Sequence, residues 1–208
     1  MMKVLMLNGS ARENGNTYMA LEEAGKFLAS QGIDYEIFQI GAEPLRDCIG
    51  CEQCRKTRSC VFTDDKVHEF AEKAKDADGF VFGSPVYYAH PSGRILSFLD
   101  RVFYSSGETF AGKPGFTVAV ARRAGTTASV DVLSKYFGIS GMIYVGSTYW
   151  DVAHGAKAGQ VQEDAEGLKT MRNSAAYLAW VMKLIESGKA NGIEQPEMEK
   201  GSYTNFIR

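Results

Sequence analysis

The sequence predicts an α/β protein with a doubly wound parallel sheet of five strands in the order 2-1-3-4-5. Short apolar runs recur without the polar and apolar alternation of a half-exposed strand, and amphipathic helical patterns separate them. Such strands are typical of a parallel sheet covered by helices on both faces, because parallel neighbours need a crossover connection. The chain has 208 residues, 45% of them hydrophobic, which is enough to bury one core.

The strands and helices alternate from the N-terminus. The first apolar run, Val-Leu-Met-Leu, ends at a polar loop that contains glycine, and later runs also end where a loop precedes a helical pattern. The predicted strands are 4–7, 35–40, 80–82, 116–121 and 142–145, and the predicted helices are 17–30, 66–77, 92–103, 126–137 and 164–186. Ligands of such sheets bind at the carboxyl ends of the strands, so the loops after the strands are the candidate site.

The domain organisation follows from the same pattern. We predict one domain over 1–188 with a cysteine-rich insertion at 48–60. The last segment, 189–208, contains glycines and a proline without a clear period, which predicts an extended tail.

The charge balance excludes two classes of partner. A formal net charge of -2 lacks the basic footprint that nucleic-acid phosphates or an anionic membrane require. The apolar N-terminus is too short for a signal-peptide core, and no later segment approaches a membrane span. We therefore expect a cytoplasmic protein whose partner is a small molecule or another protein.

The first strand runs into a glycine-containing polar loop that predicts a phosphate site. Backbone N–H groups in such a loop and at the following helix N-terminus carry partial positive charge. The loop lacks the ending of a nucleoside-triphosphate loop and the glycine spacing of a dinucleotide fingerprint, which favours a single terminal phosphate. An ordinary turn in which Asn16 or Thr17 caps the helix is the alternative. The donors that the loop offers are Ser10, Arg12, Asn14, Asn16 and Thr17.

Two further loops predict the walls of a planar ring site. Loop 83–93 contains two prolines and the adjacent Tyr87 and Tyr88, so it is stiff and offers aromatic faces. The turn 122–126 is small and cationic and follows the fourth strand. A planar, partly polar ligand needs such walls. The alternatives are tyrosines that cap the core and arginines that are simply solvated.

The four cysteines lie together after the second strand. Cys48, Cys51 and Cys54 have two residues between neighbours, and Cys60 follows after five more. This spacing favours a four-iron cluster, since thiolates at two-residue gaps can surround one face of a cubane and a fourth can close it. Free or oxidised cysteines and a zinc site are the alternatives, although structural zinc sites usually separate two cysteine pairs more widely.

Six pieces of sequence carry a family resemblance. They are Gly-Ser-Ala-Arg-Glu-Asn-Gly-Asn-Thr at 9–17, Gly-Ser-Pro-Val-Tyr-Tyr at 83–88, Ser-Gly-Arg-Ile-Leu-Ser-Phe-Leu-Asp-Arg at 92–101, Ala-Arg-Arg-Ala-Gly at 121–125, Gly-Met-Ile-Tyr-Val-Gly at 141–146 and Met-Arg-Asn at 171–173. In this order and spacing they resemble the NADPH-dependent FMN reductase and iron-sulfur flavoprotein superfamily, whose fold is flavodoxin-like. The resemblance extends to about Leu184.

The resemblance implies roles for the three loops. It assigns the FMN phosphate to Ser10, Arg12, Asn14, Asn16 and Thr17. It assigns the flavin ring to Pro85, Val86, Tyr87 and Tyr88 and to Arg123, Ala124 and Gly125. The cysteine spacing is similar to the compact motif of iron-sulfur flavoproteins, with Cys48, Cys51, Cys54 and Cys60 as ligands. Members of the superfamily usually form dimers or tetramers, so we expect a homodimer or homotetramer.

The resulting hypothesis is an FMN-dependent oxidoreductase with a [4Fe-4S] cluster. Electrons arrive from a ferredoxin-like donor or from NAD(P)H and leave to a small acceptor such as a quinone, dioxygen or peroxide. The flavin performs the chemistry, so the hypothesis needs no catalytic acid or base. An NAD(P)H-dependent FMN or quinone reductase without a cluster is the alternative. A flavodoxin-type carrier is less favoured, since the net charge is modest.

Three histidines and two aromatic residues complete the candidates. His90 and His154 lie in loops at the predicted site edge, where each is either a proton donor or merely bonded to water. His68 lies in a helical stretch beside glutamates, and we assign it no role. Tyr149 and Trp150 end the fifth strand, where they either cover a ring or pack against a partner subunit, and we expect packing.

Overall fold

A computed structural model describes residues 1–199, 201, 204 and 206. Its strands are β1 (Lys3–Asn8), β2 (Asp34–Gln39), β3 (Gly79–Tyr87), β4 (His90–Pro91), β5 (Pro114–Ala121), β6 (Ile143–Tyr144) and β7 (Val152–His154). Its α-helices are α1 (Asn16–Ser30), α2 (Cys54–Thr57), α3 (Val67–Lys75), α4 (Gly93–Ser106), α5 (Thr126–Ile139) and α6 (Ala165–Ala190). Short 3-10 turns lie at Gly107–Phe110 and Gln160–Glu163.

The strands form one sheet with the order β2-β1-β3-β5-β6. Off this path, β4 pairs antiparallel with β3, and β7 pairs parallel with β5. The predicted doubly wound α/β fold is confirmed. This order corresponds to the predicted 2-1-3-4-5, because the fourth and fifth predicted strands are β5 and β6. The short β4 and β7 were not predicted as strands.

The fifth predicted strand is divided into two pieces. β6 pairs with the first residues of β5, Pro114 and Gly115, whereas β7 pairs with its last three, Ala119, Val120 and Ala121. The prediction of one strand over 142–145 therefore found only the first piece. The segment between the two pieces, 145–151, reads Val-Gly-Ser-Thr-Tyr-Trp-Asp, and its polar and glycine residues do not continue a buried strand.

The core has two layers because strand side chains alternate between the faces of the sheet. Val4 and Met6 of β1 pack in one cluster with residues of α1 and α6. Leu5 and Leu7 pack in the other, with residues of α3, α4 and α5. All four are fully buried, which stabilises the fold by about 1.5–3 kcal/mol for each such side chain. The sheet edge that carries the site is thus fixed from both sides.

The last helix runs beyond its predicted end. α6 begins after Asp164, whose carboxylate accepts a hydrogen bond of 2.9 Å from the Gly167 amide, and it ends at Ala190 rather than at 186. Residues 193–199 have no regular secondary structure. The predicted tail over 189–208 lies partly outside the described residues. Within the described ranges, none of the helices combines the length and apolar character that crossing a membrane requires.

Candidate functional site

The loop between β1 and α1 is held rigidly where it leaves the sheet. The Ser10 amide donates to Asn8 Oδ1 at 3.1 Å, and Gln39 Nε2 donates to the Ser10 carbonyl at 2.6 Å. Ser10 Oγ accepts a hydrogen bond of 3.1 Å from the Arg12 amide. Because Asn8 also bonds Gln39 at 2.5 Å, the turn that carries Ser10 is fixed by the ends of two neighbouring strands.

The N-terminus of α1 is free to bind an anion. Gly15 precedes the helix and has no side chain to cap it, so the N–H groups of the first turn lack the usual side-chain acceptor. The predicted alternative, in which Asn16 or Thr17 serves as that cap, is not what the structure has. Thr17 is buried at the helix start, and Arg12 and Asn14 are exposed in the loop before it.

The Asn16 side chain has a different role from the predicted phosphate contact. Its Nδ2 donates to the Gly155 carbonyl at 3.1 Å and to the Lys157 carbonyl at 2.9 Å, and its Oδ1 accepts from the Val161 amide at 3.3 Å. Both amide donors are therefore used, so what Asn16 can offer a phosphate is its backbone N–H. The side chain joins the loop after β7 to the start of α1.

Residues 85–91, predicted as part of a stiff loop, form a tight hairpin. Val86 pairs with Pro91 and Tyr87 with His90. Tyr88 has φ +60°, a conformation that glycine usually adopts in a two-residue hairpin turn, and its side chain is fully exposed. Tyr87 is also exposed, so the alternative in which the tyrosines cap the core does not hold. Pro85 and Val86 are half-buried beneath them.

The turn after β5 lies against this hairpin. Gly125 has φ +86°, and a Cβ atom there would lie 2.8 Å from Val86 Cγ1 and 2.9 Å from Ala89 Cα. Only glycine fits such an approach. Arg123 and Ala124, which precede it, are exposed.

The three loops therefore meet at the carboxyl edge of the sheet. The Gly9 amide donates to the Gly83 carbonyl at 2.8 Å, and Ser92 Oγ donates to the Gly9 carbonyl at 3.1 Å. These bonds join the first loop to the third, as Gly125 joins the third to the fourth. An uncapped helix N-terminus on one side and an aromatic hairpin on the other suit a ligand with a terminal phosphate and a planar ring.

The cysteine segment forms a second feature of the same region. Cys48, Cys51, Cys54 and Cys60 are all free and line one cleft of about 350 Å³. Among the described residues, no three His, Cys, Asp or Glu side chains are placed to hold a metal ion. A cubane cluster attaches each thiolate to a different iron, so its ligands line a cavity instead of meeting at one point. Four thiols around one cleft are a donor set that fits this group.

One face of α4 anchors the cysteine segment. Arg94 donates to the carbonyls of Ala42, at 3.1 Å, and Glu43, and Ser97 donates to the Asp47 carboxylate. Arg101, one turn further along, binds the other end of the segment through Asp65. Ser92 caps the start of the same helix and bonds the loop after β1 through the Gly9 carbonyl. α4 thus connects the two halves of the site, and sequence analysis did not assign it that role.

Two side chains that sequence analysis left without a role contact Cys60. Arg101 Nε donates to Cys60 Sγ at 3.2 Å. Burial lowers the pKa of Arg101, but bonds to Asp65 and Cys60 outweigh it, so its pKa is raised. His68, expected to be an uninvolved surface residue, is half-buried, and its Nε2 lies 2.9 Å from the carbonyls of both Cys60 and Phe62. Since carbonyls only accept, this nitrogen carries a proton.

The remaining candidates are two histidines and two aromatic residues in loops near the carboxyl edge of the sheet. His90 Nδ1 donates to the Pro91 carbonyl at 2.8 Å, and His154 Nδ1 lies 3.5 Å from Asp164. Whether either transfers a proton stays a prediction. Tyr149 and Trp150 are more than half exposed, and their packing against a partner subunit stays a prediction.

A buried carboxylate, Asp151, lies directly before β7. Asp151 is 3% exposed and accepts hydrogen bonds from Ser174 Oγ at 2.5 Å and from Tyr144 Oη at 3.1 Å. Burial raises its pKa to about 6, although both hydrogen bonds act in the opposite direction. The residue ties β6, β7 and α6 together, and its sequence context gave no sign of this.

The sheet, the uncapped helix and the three joined loops define a flavodoxin-like flavin-binding protein. The family model of NADPH-dependent FMN reductases matches residues 2–157, and the chain belongs to that family. It is a flavin-dependent oxidoreductase, and FMN is the cofactor of its family.

Relatives and solved structures agree with this assignment. The chain is 35% identical over 193 residues to an iron-sulfur flavoprotein of Methanocaldococcus jannaschii, covering 89% of this chain and all of that protein. A second iron-sulfur flavoprotein of that organism is 29% identical over 197 residues, covering 88% and 98%. The fold is similar to that of an NADH:FMN oxidoreductase in its apo form, with a TM-score of 0.65, 16% identity, and coverage of 87% and 90%.

Proposed function

We propose that this oxidoreductase passes electrons through FMN and a [4Fe-4S] cluster to a small acceptor such as a quinone, dioxygen or peroxide. One observation carries the proposal: the cleft lined by all four cysteines lies along α4, the helix whose first residues bond the loops at the carboxyl edge of the sheet. Two redox groups bound at these places would share one rigid support.

The first loop is proposed to hold the FMN phosphate. Ser10, Arg12, Asn14 and Thr17 offer side-chain donors or charge, and Asn16 offers its backbone N–H at the start of α1. Arg12 is exposed in this loop, so its charge is accessible to a phosphate. The donors are the types that a phosphate prefers, and the uncapped helix adds its dipole.

The third and fourth loops are proposed to hold the flavin ring. Pro85, Val86, Tyr87 and Tyr88 form one wall, and Arg123, Ala124 and Gly125 form the other. When bound, FMN supplies both two-electron and one-electron transfer. The chain's own part is to fix the ring between these walls and to leave one face open, and the exposure of both tyrosines is consistent with an open approach.

The cluster is proposed to be held by Cys48, Cys51, Cys54 and Cys60. Supporting this are their compact spacing, their common cleft, and relatives whose names describe iron-sulfur flavoproteins. A ferredoxin-like donor would then be the partner on this side, whereas NAD(P)H would deliver hydride at the flavin. An NAD(P)H-dependent FMN or quinone reductase without a cluster remains the second candidate, because the family model is named for NADPH-dependent reductases.

A homodimer or homotetramer is part of the proposal. Tyr177, Trp180 and Leu184 are each about half exposed and recur at helical spacing along α6, so they form an apolar stripe on its outer face. A second copy covering this stripe would remove it from water.

Anaerobic reduction kinetics with two donors test the proposed route. The wild-type chain and the double variant Cys51→Ser/Cys54→Ser, both loaded with FMN, are mixed with a reduced ferredoxin or with NADPH while flavin absorbance is followed. We expect the ferredoxin to reduce the flavin at least about tenfold more slowly in the variant, because the relay is broken. Equal rates for both proteins with NADPH, together with no reduction by ferredoxin, would favour the cluster-free reductase instead.

A further inference from the structure

Arg101 is a fully buried cation whose contacts all lie in one short segment. It is 1% exposed, and a guanidinium has five N–H groups. Its Nε donates to Cys60 Sγ at 3.2 Å. Nη1 donates to the Arg46 carbonyl at 3.3 Å and to Asp65, and Nη2 donates to the Phe62 carbonyl and to Asp65, both at 3.2 Å. All five donors are thereby used between residues 46 and 65.

Cys60 is consequently held at two of its atoms. Its sulfur accepts from Arg101, and its carbonyl oxygen accepts from His68 Nε2 at 2.9 Å. Cys48 and Cys51, in contrast, are exposed on the outer part of the same segment. One of the four thiols is therefore preset by the folded body of the protein, while two of the others project from its surface.

We propose that Arg101 is a positioning residue that presets Cys60 for the cluster and raises the reduction potential of that cluster. This inference rests on the proposed cluster function. Hydrogen bonds to coordinating sulfurs favour the reduced state of an iron-sulfur centre, and so does a cation that lies closer to the sulfur than its own counter-ion. A guanidinium supplies both from a fixed planar fork, which a lysine ammonium cannot reproduce.

The ion pair with Asp65 and the contact with the Cys60 sulfur use different nitrogen atoms of Arg101. Asp65 is bound by Nη1 and Nη2, on the side of the guanidinium away from the stem, so Nε remains for the sulfur. Removing Arg101 alone would leave Asp65 without its buried partner, which is strongly destabilising. The double variant Arg101→Gln/Asp65→Asn removes both charges, so no carboxylate is left unpaired.

The matched control is Arg94→Gln. Arg94 lies on the same face of α4 and anchors the chain just before that segment, at Ala42 and Glu43, but its bonds are to carbonyl oxygens rather than to a sulfur. A merely structural effect of loosening the segment would appear in both variants, whereas an effect through the sulfur would appear only when Arg101 is changed.

Two measurements on these variants test the proposal. In reconstituted full-length protein, redox titration followed by electron paramagnetic resonance should give a lower cluster potential for Arg101→Gln and for the double variant, and an unchanged one for Arg94→Gln. Arg101→Lys, which keeps the charge, should recover part of the shift. Equal potentials in all variants, or the same shift in Arg94→Gln, would overturn the effect on potential.

Hydrogen exchange in metal-free protein decides the positioning role without a cluster. Exchange over residues 60–65 should become at least about tenfold faster in the double variant and in Arg101→Lys, and stay at the wild-type rate in Arg94→Gln. Unchanged exchange in the Arg101 variants would overturn the positioning role. A wild-type chain that binds no cluster would overturn the proposed function and the effect on potential, while the exchange result would still decide whether Arg101 holds Cys60.

Discussion

The amide of Gly9 donates a hydrogen bond of 2.8 Å to the carbonyl of Gly83, which joins the loop after β1 to the end of β3. A Cβ atom at Gly9 would lie 2.9 Å from that carbonyl and 2.8 Å from Ile95. The two loops are therefore in backbone contact, and glycine is required by the closeness of the approach. This contact fixes the loop that is proposed to hold the phosphate relative to the hairpin that is proposed to line the ring.

Replacing Gly9 should disturb both stability and cofactor binding. Gly9→Ala forces backbone apart, and we expect it to lower the free energy of unfolding by about 1–3 kcal/mol and to weaken FMN binding. Denaturant unfolding and flavin-fluorescence titration measure the two effects. Gly93→Ala, in α4 where an added Cβ meets nothing within 4 Å, is the control and should lower neither the free energy of unfolding nor the affinity for FMN. Equal effects of the two substitutions would contradict the importance of the contact.

Arg12 should affect FMN binding without affecting the fold. It is exposed in the loop before α1, and we propose that its charge meets the phosphate. Arg12→Ala should raise the dissociation constant of FMN about tenfold at low salt, and less at high salt, where screening weakens the contact. Titrations at two salt concentrations check this. The neighbouring Glu13→Gln should act in the opposite direction, and a weakening there would argue against an electrostatic role for the loop.

Asn16, in contrast to Arg12, should affect the stability of the fold through its side chain. Its side chain bonds the carbonyls of Gly155 and Lys157 and the amide of Val161, so Asn16→Ala leaves those groups without partners. We expect a loss of about 1–3 kcal/mol in the free energy of unfolding and faster hydrogen exchange at Val161. Asn14→Ala, in the exposed part of the loop, should do neither. Protection at Val161 that survives Asn16→Ala would disprove the clamp.

The backbone conformation of Tyr88 should lower the stability of the folded chain. Its φ of +60° is strained for a tyrosine, and its exposed side chain makes no compensating burial. Asparagine tolerates this conformation, so Tyr88→Asn should raise the free energy of unfolding by about 1 kcal/mol. The adjacent Tyr87→Asn, at a paired strand position, should not. Thermal unfolding of both variants gives the answer, and a destabilised Tyr88→Asn would show that the turn is not strained.

Asp151 predicts a specific pH dependence of stability. Its pKa is about 6 in the folded chain, against 3.8 for an unperturbed aspartate, so the unfolded chain ionises first as the pH rises. Its contribution to stability is therefore complete below about pH 4, falls through pH 4–6 by about 3 kcal/mol at most, and stays constant above that. The difference in unfolding free energy between wild type and Asp151→Asn should follow this curve. A difference that is independent of pH would refute the raised pKa.

Local patterns were enough to predict the fold and the edge of the sheet at which the proposed site lies. Unbroken apolar runs such as 80–82 identify strands buried on both faces, and the doubly wound sheet then places their following loops at one edge. The hairpin of β3 and β4 was missed because Pro85 and Pro91 suggested a stiff loop rather than paired strands. The division of the fifth strand was missed because β7 is only three residues long.

The parts of the site that depend on distant contacts could not be predicted. Cysteine spacing is a local signal and indicated the proposed ligands, but Arg101 reaches Cys60 across 41 positions in the chain. His68 is closer in sequence, yet its glutamate neighbours suggested a solvated helix face. Likewise, nothing near Asn16 revealed that its partners lie about 140 residues away. Such roles follow from tertiary packing, which a periodic pattern does not encode.

The cofactor content of anaerobically purified protein tests the account most directly. Released flavin, iron, acid-labile sulfide and zinc are assayed on one sample whose visible spectrum has been recorded. The account predicts one FMN with about four irons and four sulfides per chain, as four cysteine ligands around a cubane require. FMN without iron would leave the flavoenzyme and remove the cluster, whereas a protein that neither retains nor rebinds FMN would contradict the central claim.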